Sequence, residues 1–401
     1  MSHFLFLLLL VTSAQALDLP LSAVSSRVIS HNPALAAARL RIDEAHGRMH
    51  QAGRLSNPEV GFEFKHDDRY REGNAGFSFD QKFPLTARLR LEKDMSAKEV
   101  KAAELEVQDQ QRLLRAQAQS LAVKLLSLEQ QRALRQQQSA LASELSEFAA
   151  KRAEAGELSA LDAAQAQVDA QRILLEGRVL ETERVSLLGD LKPLLGVAAQ
   201  EDLKISGELP KAAVPAFGQA WAQRPDYQIA KLREAAAGDE TSLAKAGKWE
   251  DISAGVFVDG ERAEDAPNGL ERTPFFGFRV SLPLPLWNKN EGRVTEKTAA
   301  AKRIVLETKA LALTIENEAA AARADMDAQL SLASDTRDKL LPLVLQQTDK
   351  LEKAYQQGQT DLLTVLRARE QRLQLEAAVL TALRDFHLAR IRYESATGTT
   401  H

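Results

Sequence analysis

The 401-residue chain contains no cysteine. That excludes disulfides, thiolate metal sites, a thiol nucleophile and the acylated cysteine of a lipid anchor. No Gly-x-x-x-x-Gly-Lys-Ser/Thr phosphate loop occurs, and no Ser, His or metal constellation stands out. The expectation is therefore a protein that is not an enzyme and needs no cofactor. Net charge is only −4, from 52 basic and 56 acidic residues. Such a balance lacks the basic excess that nucleic-acid binding requires. Beyond the N-terminus no apolar run approaches the roughly 18 residues of a membrane-spanning helix, which excludes a helical inner-membrane protein. Any membrane role must then use strands. Aromatic residues are scarce at 5%, whereas Ala, Leu, Gln, Glu and Arg abound. This is the composition of long helices and coiled coils.

At the N-terminus, the apolar run Phe4 to Val11 leads into Thr12-Ser13 and Ala14-Gln15-Ala16. It reads as a secretory signal over residues 1–16, cleaved after Ala16. The expected compartment is outside the cytoplasm.

Glycine and proline are sparse, and the gaps between them define the architecture. From Leu85 to Ala155, 71 residues pass without either. At a rise of about 1.5 Å per residue, that stretch predicts a helix on the order of 100 Å long. A second such stretch runs from Arg293 to Leu341 and resumes beyond Pro342 to Gln357. Within the first, Leu121, Leu125 and Leu128, and again Leu141, Leu145 and Phe148, repeat the 4-then-3 spacing of a helix-packing seam. Each long stretch ends at a glycine, Gly156 or Gly358, 202 residues apart. A glycine can close one helix, and a Ser or Thr two or three residues later can cap the next. Both sites therefore predict the tip of a helical hairpin.

The duplication extends further. Gly76 to Leu85, ending in Pro84-Leu, matches Gly277 to Leu286, ending in Pro285-Leu, each leading into a long helix. Upstream, Asn32-Pro33 matches Arg224-Pro225, and Ala52-Gly53-Arg54 matches Ala246-Gly247-Lys248. The chain thus reads as two repeats, residues 17–217 and 218–401, each a helix, a strand pair and a long helical hairpin. In the strand pairs, Val60, Phe62 and Phe64, then Phe77 and Phe79, alternate with polar or small residues. Ile252 to Val258 and Phe276 to Leu282 repeat the theme. Period two with one apolar face suits membrane β-strands, although a half-buried soluble hairpin has the same pattern. The polar stretches Lys65 to Asn74 and Gly260 to Thr273 are expected as loops. Four strands cannot close a barrel around a pore, and open sheet edges are not tolerated in lipid. A ring of identical chains is the simplest closure.

Taken in order, Asn32-Pro33-Ala34-Leu35, Gly53-Arg54-Leu55-Ser56-Asn57-Pro58, the paired Pro84 and Pro285 and the paired tips resemble the TolC-like outer-membrane efflux protein family over essentially the whole expected mature chain. The resemblance implies a mainly α fold of duplicated long helical hairpins, with four strands per chain contributing to a 12-stranded barrel in a homotrimer. It further implies an outer-membrane location with a periplasmic helical tunnel, the segment from Leu191 to Phe217 lying in the equatorial region between the repeats. The partners would be outer-membrane lipid, a periplasmic adaptor and an inner-membrane efflux pump. Leu282-Pro-Leu-Pro-Leu-Trp287-Asn-Lys-Asn290-Glu-Gly292 resembles the heavy-metal (CzcC-like) branch. In such channels acidic side chains can close the tunnel tip, and the candidates here are Asp162 and Asp361. The second tip departs from that pattern, with Thr364 and Arg367 where some relatives carry aspartates. Asp361 also reads as a helix cap and Asp162 as a solvated helix residue. His46 and His50, at i and i+4, could present two imidazoles to a metal, but no third ligand lies nearby. A periplasmic coiled-coil adaptor or structural protein is the rival class, and the duplication argues against it.

Overall fold

The computed structural model describes residues 17–215, 220–265 and 269–398. The expected signal segment and the expected repeat boundary at residues 217 and 218 lie outside them. The elements run β1 (Leu17–Pro20), α1 (Leu21–His31), α2 (Pro33–Gln51), β2 (Glu59–His66), β3 (Gly73–Phe83), α3 (Arg88–Glu154), α4 (Ala160–Leu194) and β4 (Leu203–Ser206). After a 3-10 turn come α5 (Pro225–Ala246), β5 (Ile252–Asp265), β6 (Gly269–Ser281) and α6 (Glu291–Asp335). A π turn, Thr336–Leu340, then leads into α7 (Leu341–Gln356) and α8 (Leu362–Thr397). The helix, strand pair, long helix, return helix order occurs twice.

Backbone contacts divide the chain into two compact units, each drawing on both repeats. One holds residues 38–107 and 225–312, which include β2, β3, β5 and β6. These strands form an antiparallel sheet in the order β2-β3-β5-β6. Ion pairs fix helices beside the sheet: Arg88 on α3 reaches Asp251 at 2.7 Å and Glu92 at 2.9 Å. Lys98 pairs with Asp239, and Lys297 with Glu240 at 2.8 Å. These pairs join α3 and α6 to α5. Gly53, at φ +68°, ends α2 where a Cβ would overlap the Leu89 carbonyl oxygen.

The other unit holds residues 17–37, 108–224 and 313–398 among those described. Its main core packs Val24 and Val28 of α1, Leu121, Leu125 and Leu128 of α3, Leu187 and Leu191 of α4, and Leu203 and Ile205 of β4. The first predicted seam is thus core, whereas Leu141, Leu145 and Phe148 are only half-buried. Between α3 and α4 run the ion pairs Arg132–Glu181 at 2.7 Å, Arg135–Glu176 at 2.8 Å and Arg184–Glu129 at 2.9 Å.

Two expectations change. The polar stretches Lys65–Asn74 and Gly260–Thr273 are not loops throughout. β2 runs to His66, β3 starts at Gly73, β5 runs to Asp265 and β6 starts at Gly269. Ladder bonding uses backbone groups whatever the side chain, so it continues past the apolar band. Nor is the second long helix uniform. Pro342 has no N–H, which leaves the carbonyl four residues back without its helical partner. The chain widens there, and the Leu341 N–H donates to the Thr336 carbonyl five residues back.

Candidate functional site

In the unit containing the sheet, register sorts the strand residues into two faces. Val60, Phe79, Val256 and Phe278 form one row across the four strands, and Phe62, Phe77, Val258 and Phe276 the next. This face is apolar and uncovered: Phe62 is 64% exposed, Phe276 77% and Phe278 80%. A soluble hairpin would bury such a face; here it is left uncovered within the chain. β3, β5 and β6, at 11, 14 and 13 residues, are long enough to cross a bilayer, and β2 has 8.

The opposite face carries Glu59, Glu63, Asp80, Asp259, Glu261 and Glu271 against Lys65, Lys82 and Arg279. Glycines are placed there with a purpose. Gly76 lies opposite Asp259, Gly255 opposite Asp80 and Gly277 opposite Phe257. A Cβ on any of the three would overlap the side chain leaning over it. Small residues let this face take the crowded, inner side of a bent sheet. Arg279 also stacks over the Phe257 ring, 5.7 Å from its centroid. β2 and β6 each pair on one side only among the described residues, so the sheet has two open edges.

Pro84 and Pro285 lie in the connections from β3 to α3 and from β6 to α6. A proline there cannot extend the ladder, and the chain leaves the sheet. In the second connection Asn290, at φ +60°, donates from its side-chain amide to the Ala244 carbonyl at 2.6 Å. Trp287 is 95% exposed. His46 is half-buried and His50 exposed on α2. No group of three potential metal ligands occurs among the described residues.

In the other unit, the hairpin tips take the capped form. Gly156 has φ +75° and Gly358 φ +70°. The Glu157 N–H donates to the Arg152 carbonyl at 2.9 Å, and the Gln359 N–H to the Ala354 carbonyl at 2.8 Å. These bonds close the helix ends with a left-handed residue. Ser159 caps α4 by accepting from the Leu161 N–H at 3.1 Å, and Asp361 caps α8 by accepting from the Thr364 N–H at 2.7 Å. That backbone bond is the main cause holding the Asp361 carboxyl below its usual range, with Arg367 contributing through its charge. Asp162 lies exposed in the first turn of α4.

Sequence reasoning missed a second pair of equivalent joints. Asn32 is buried, caps α2 through the Leu35 N–H at 2.9 Å, and donates its amide to the Leu194 carbonyl at the end of α4 at 3.0 Å. Arg224, equally buried, donates to the Ala396 carbonyl near the end of α8 at 3.1 Å and to Glu318 at 3.2 Å. Each joint faces a left-handed glycine, Gly196 or Gly398, spaced like the tip glycines. The matching Asn32-Pro33 and Arg224-Pro225 were the available signal.

Residues 24–196 match the profile of the outer membrane efflux protein family. No curated protein matches the chain in sequence. Among solved structures, the outer-membrane channel OprN is similar over 95% of this chain and 90% of its own, at 17% identity and a TM-score of 0.78. The outer membrane protein VceC from Vibrio cholerae is similar over 94% and 96%, at 20% identity and 0.74. CusC, described for its transmembrane channel formation, is similar over 94% and 91%, at 16% identity and 0.76. The chain therefore has the fold of TolC-like outer-membrane channels, and its residues 24–196 carry the sequence pattern of the outer membrane efflux protein family.

Proposed function

We propose that this protein is the outer-membrane duct of a tripartite efflux system, a homotrimer fed by a periplasmic adaptor and an inner-membrane pump. One observation carries the reading: a sheet with an exposed apolar face, a polar glycine-lined face and, among the described residues, two unpaired edges. In lipid those edges must be satisfied, and copies of the same sheet supply matching strands. Three copies give twelve strands, with the apolar rows toward lipid and the polar rows toward the lumen. The hairpin tips at Gly156 and Gly358, with Asp162, Asp361 and Arg367 beside them, are the proposed adaptor contact or gate.

For the cargo we propose small cations, heavy-metal ions among them. The resemblance of Leu282 to Gly292 supports the metal branch, and the acidic excess on the polar face suits cations. Purified protein in a planar bilayer under a salt gradient tests both parts. The expected result is stepwise conductance with a reversal potential favouring cations. Anion selectivity would remove the cation reading, and absence of conductance would remove the duct.

A further inference from the structure

The apolar face of the sheet ends in a rim that the duct itself does not use. Towards the β2–β3 and β5–β6 connections, one row sets Phe64 beside Ala75, Gly260 and Pro274. The next sets His66 beside Gly73, Arg262 and Arg272. On β2 the rings form a column: Phe64 and His66 are 5.5 Å apart, and Tyr70 stacks on His66 at 3.9 Å with 18° between planes. The Asp67 carboxylate orders the connection by accepting from the backbone N–H groups of Arg71 at 2.7 Å and Glu72 at 3.0 Å. Tyr70 sits in that turn at φ +55°, a conformation a bulky residue seldom adopts. Between the aromatic column and the arginines lies a groove of about 360 Å³, lined also by Glu72 and Glu261 and by small residues. Gly73 must be one of them, since a Cβ there would meet the Lys65 carbonyl oxygen at 2.6 Å.

Arg262 and Arg272 are direct cross-strand partners on the same face. Like charges placed opposite each other destabilise a ladder. Among the described side chains neither arginine has an ion-pair partner. An anion between them would turn repulsion into attraction, and two guanidinium forks match the oxygens of a phosphate. An aromatic column beside them suits the boundary where acyl chains meet headgroups.

We propose that this groove binds the phosphorylated headgroup of an outer-leaflet lipid. Its phosphate lies between Arg262 and Arg272, and its acyl chains run down the rows of Phe62 and Phe276. The inference rests on the sheet lying in the outer membrane with its short connections outward.

Native mass spectrometry of the detergent-purified assembly tests it, with phosphorylated lipid A, dephosphorylated lipid A and inorganic phosphate as separate probes. Phosphorylated lipid A should be retained, and the double variant Arg262→Gln/Arg272→Gln should retain it at least tenfold more weakly. Arg279→Gln, on the opposite face, should behave as the unaltered protein. Equal retention of dephosphorylated lipid, capture of inorganic phosphate alone, or unchanged retention by the double variant would overturn the proposal. If the double variant fails to assemble, Arg272→Gln is read instead, and unchanged retention there overturns it equally. Fractionation of the unaltered protein separates the two levels. A protein absent from the outer membrane removes both readings, whereas one present there with arginine-independent lipid binding removes only this one.

Discussion

Single residues set the joints of this chain, and their cost on substitution follows from backbone geometry. Gly156 and Gly358 occupy the left-handed region, yet a Cβ at either would meet no neighbour. The penalty for Gly156→Val or Gly358→Val is therefore conformational, of the order of 1–3 kcal/mol, and confined to the tip. Each variant should still assemble at the wild-type mass while losing export in a transport assay. Normal export would show that tip geometry does not govern adaptor coupling. His387 gives a pH prediction. It is buried, and its Nε2 lies 2.9 Å from the Pro210 carbonyl, which can only accept, so that nitrogen carries the proton. Burial is the main cause lowering its pKa, which favours the neutral ring in the folded state. An unfolded histidine takes up a proton below about pH 6.5, so stability should fall as pH drops through that value. Melting temperatures between pH 8 and 5 should decline for the natural protein and flatten for His387→Leu. Parallel curves would assign the pH response elsewhere.

At the scale of elements, periodicity made the long helices and the strand pairs legible, because each is long and interrupted only by glycine or proline. The glycine tips were legible for the same reason. What sequence did not reveal depended on partners distant in the chain. Among the described residues the four-residue β1 and β4 pair only with each other, Leu17–Pro20 against Leu203–Ser206, and carry no pattern of their own. The outer halves of β5 and β6 were hidden because their side chains are polar, although the backbone ladder continues through them. The sheet supplies its own test. Phe278→Arg puts a charge on the rows proposed to face lipid, where a mid-bilayer arginine costs about 2–4 kcal/mol. Ser78→Arg alters the polar face of the same sheet. Assembly in the outer membrane should fall sharply for Phe278→Arg and remain for Ser78→Arg, read as the heat-sensitive band on gels. The reverse order would exchange the two faces.

The whole molecule poses one requirement that a single chain does not meet. Its sheet exposes one apolar face and ends in two free edges, and no helix among the described residues is long and apolar enough to cross a membrane. Duplication within the chain supplies two hairpins to one sheet, and in the proposed trimer repetition between chains completes the closure. The most direct measurement is membrane fractionation, followed by native mass determination of the detergent-extracted protein and gels of unheated and heated samples. The account predicts a trimer, found in the outer membrane, that becomes monomer on heating. A soluble monomer in the periplasm would contradict it and return the chain to the class of coiled-coil adaptors or structural proteins.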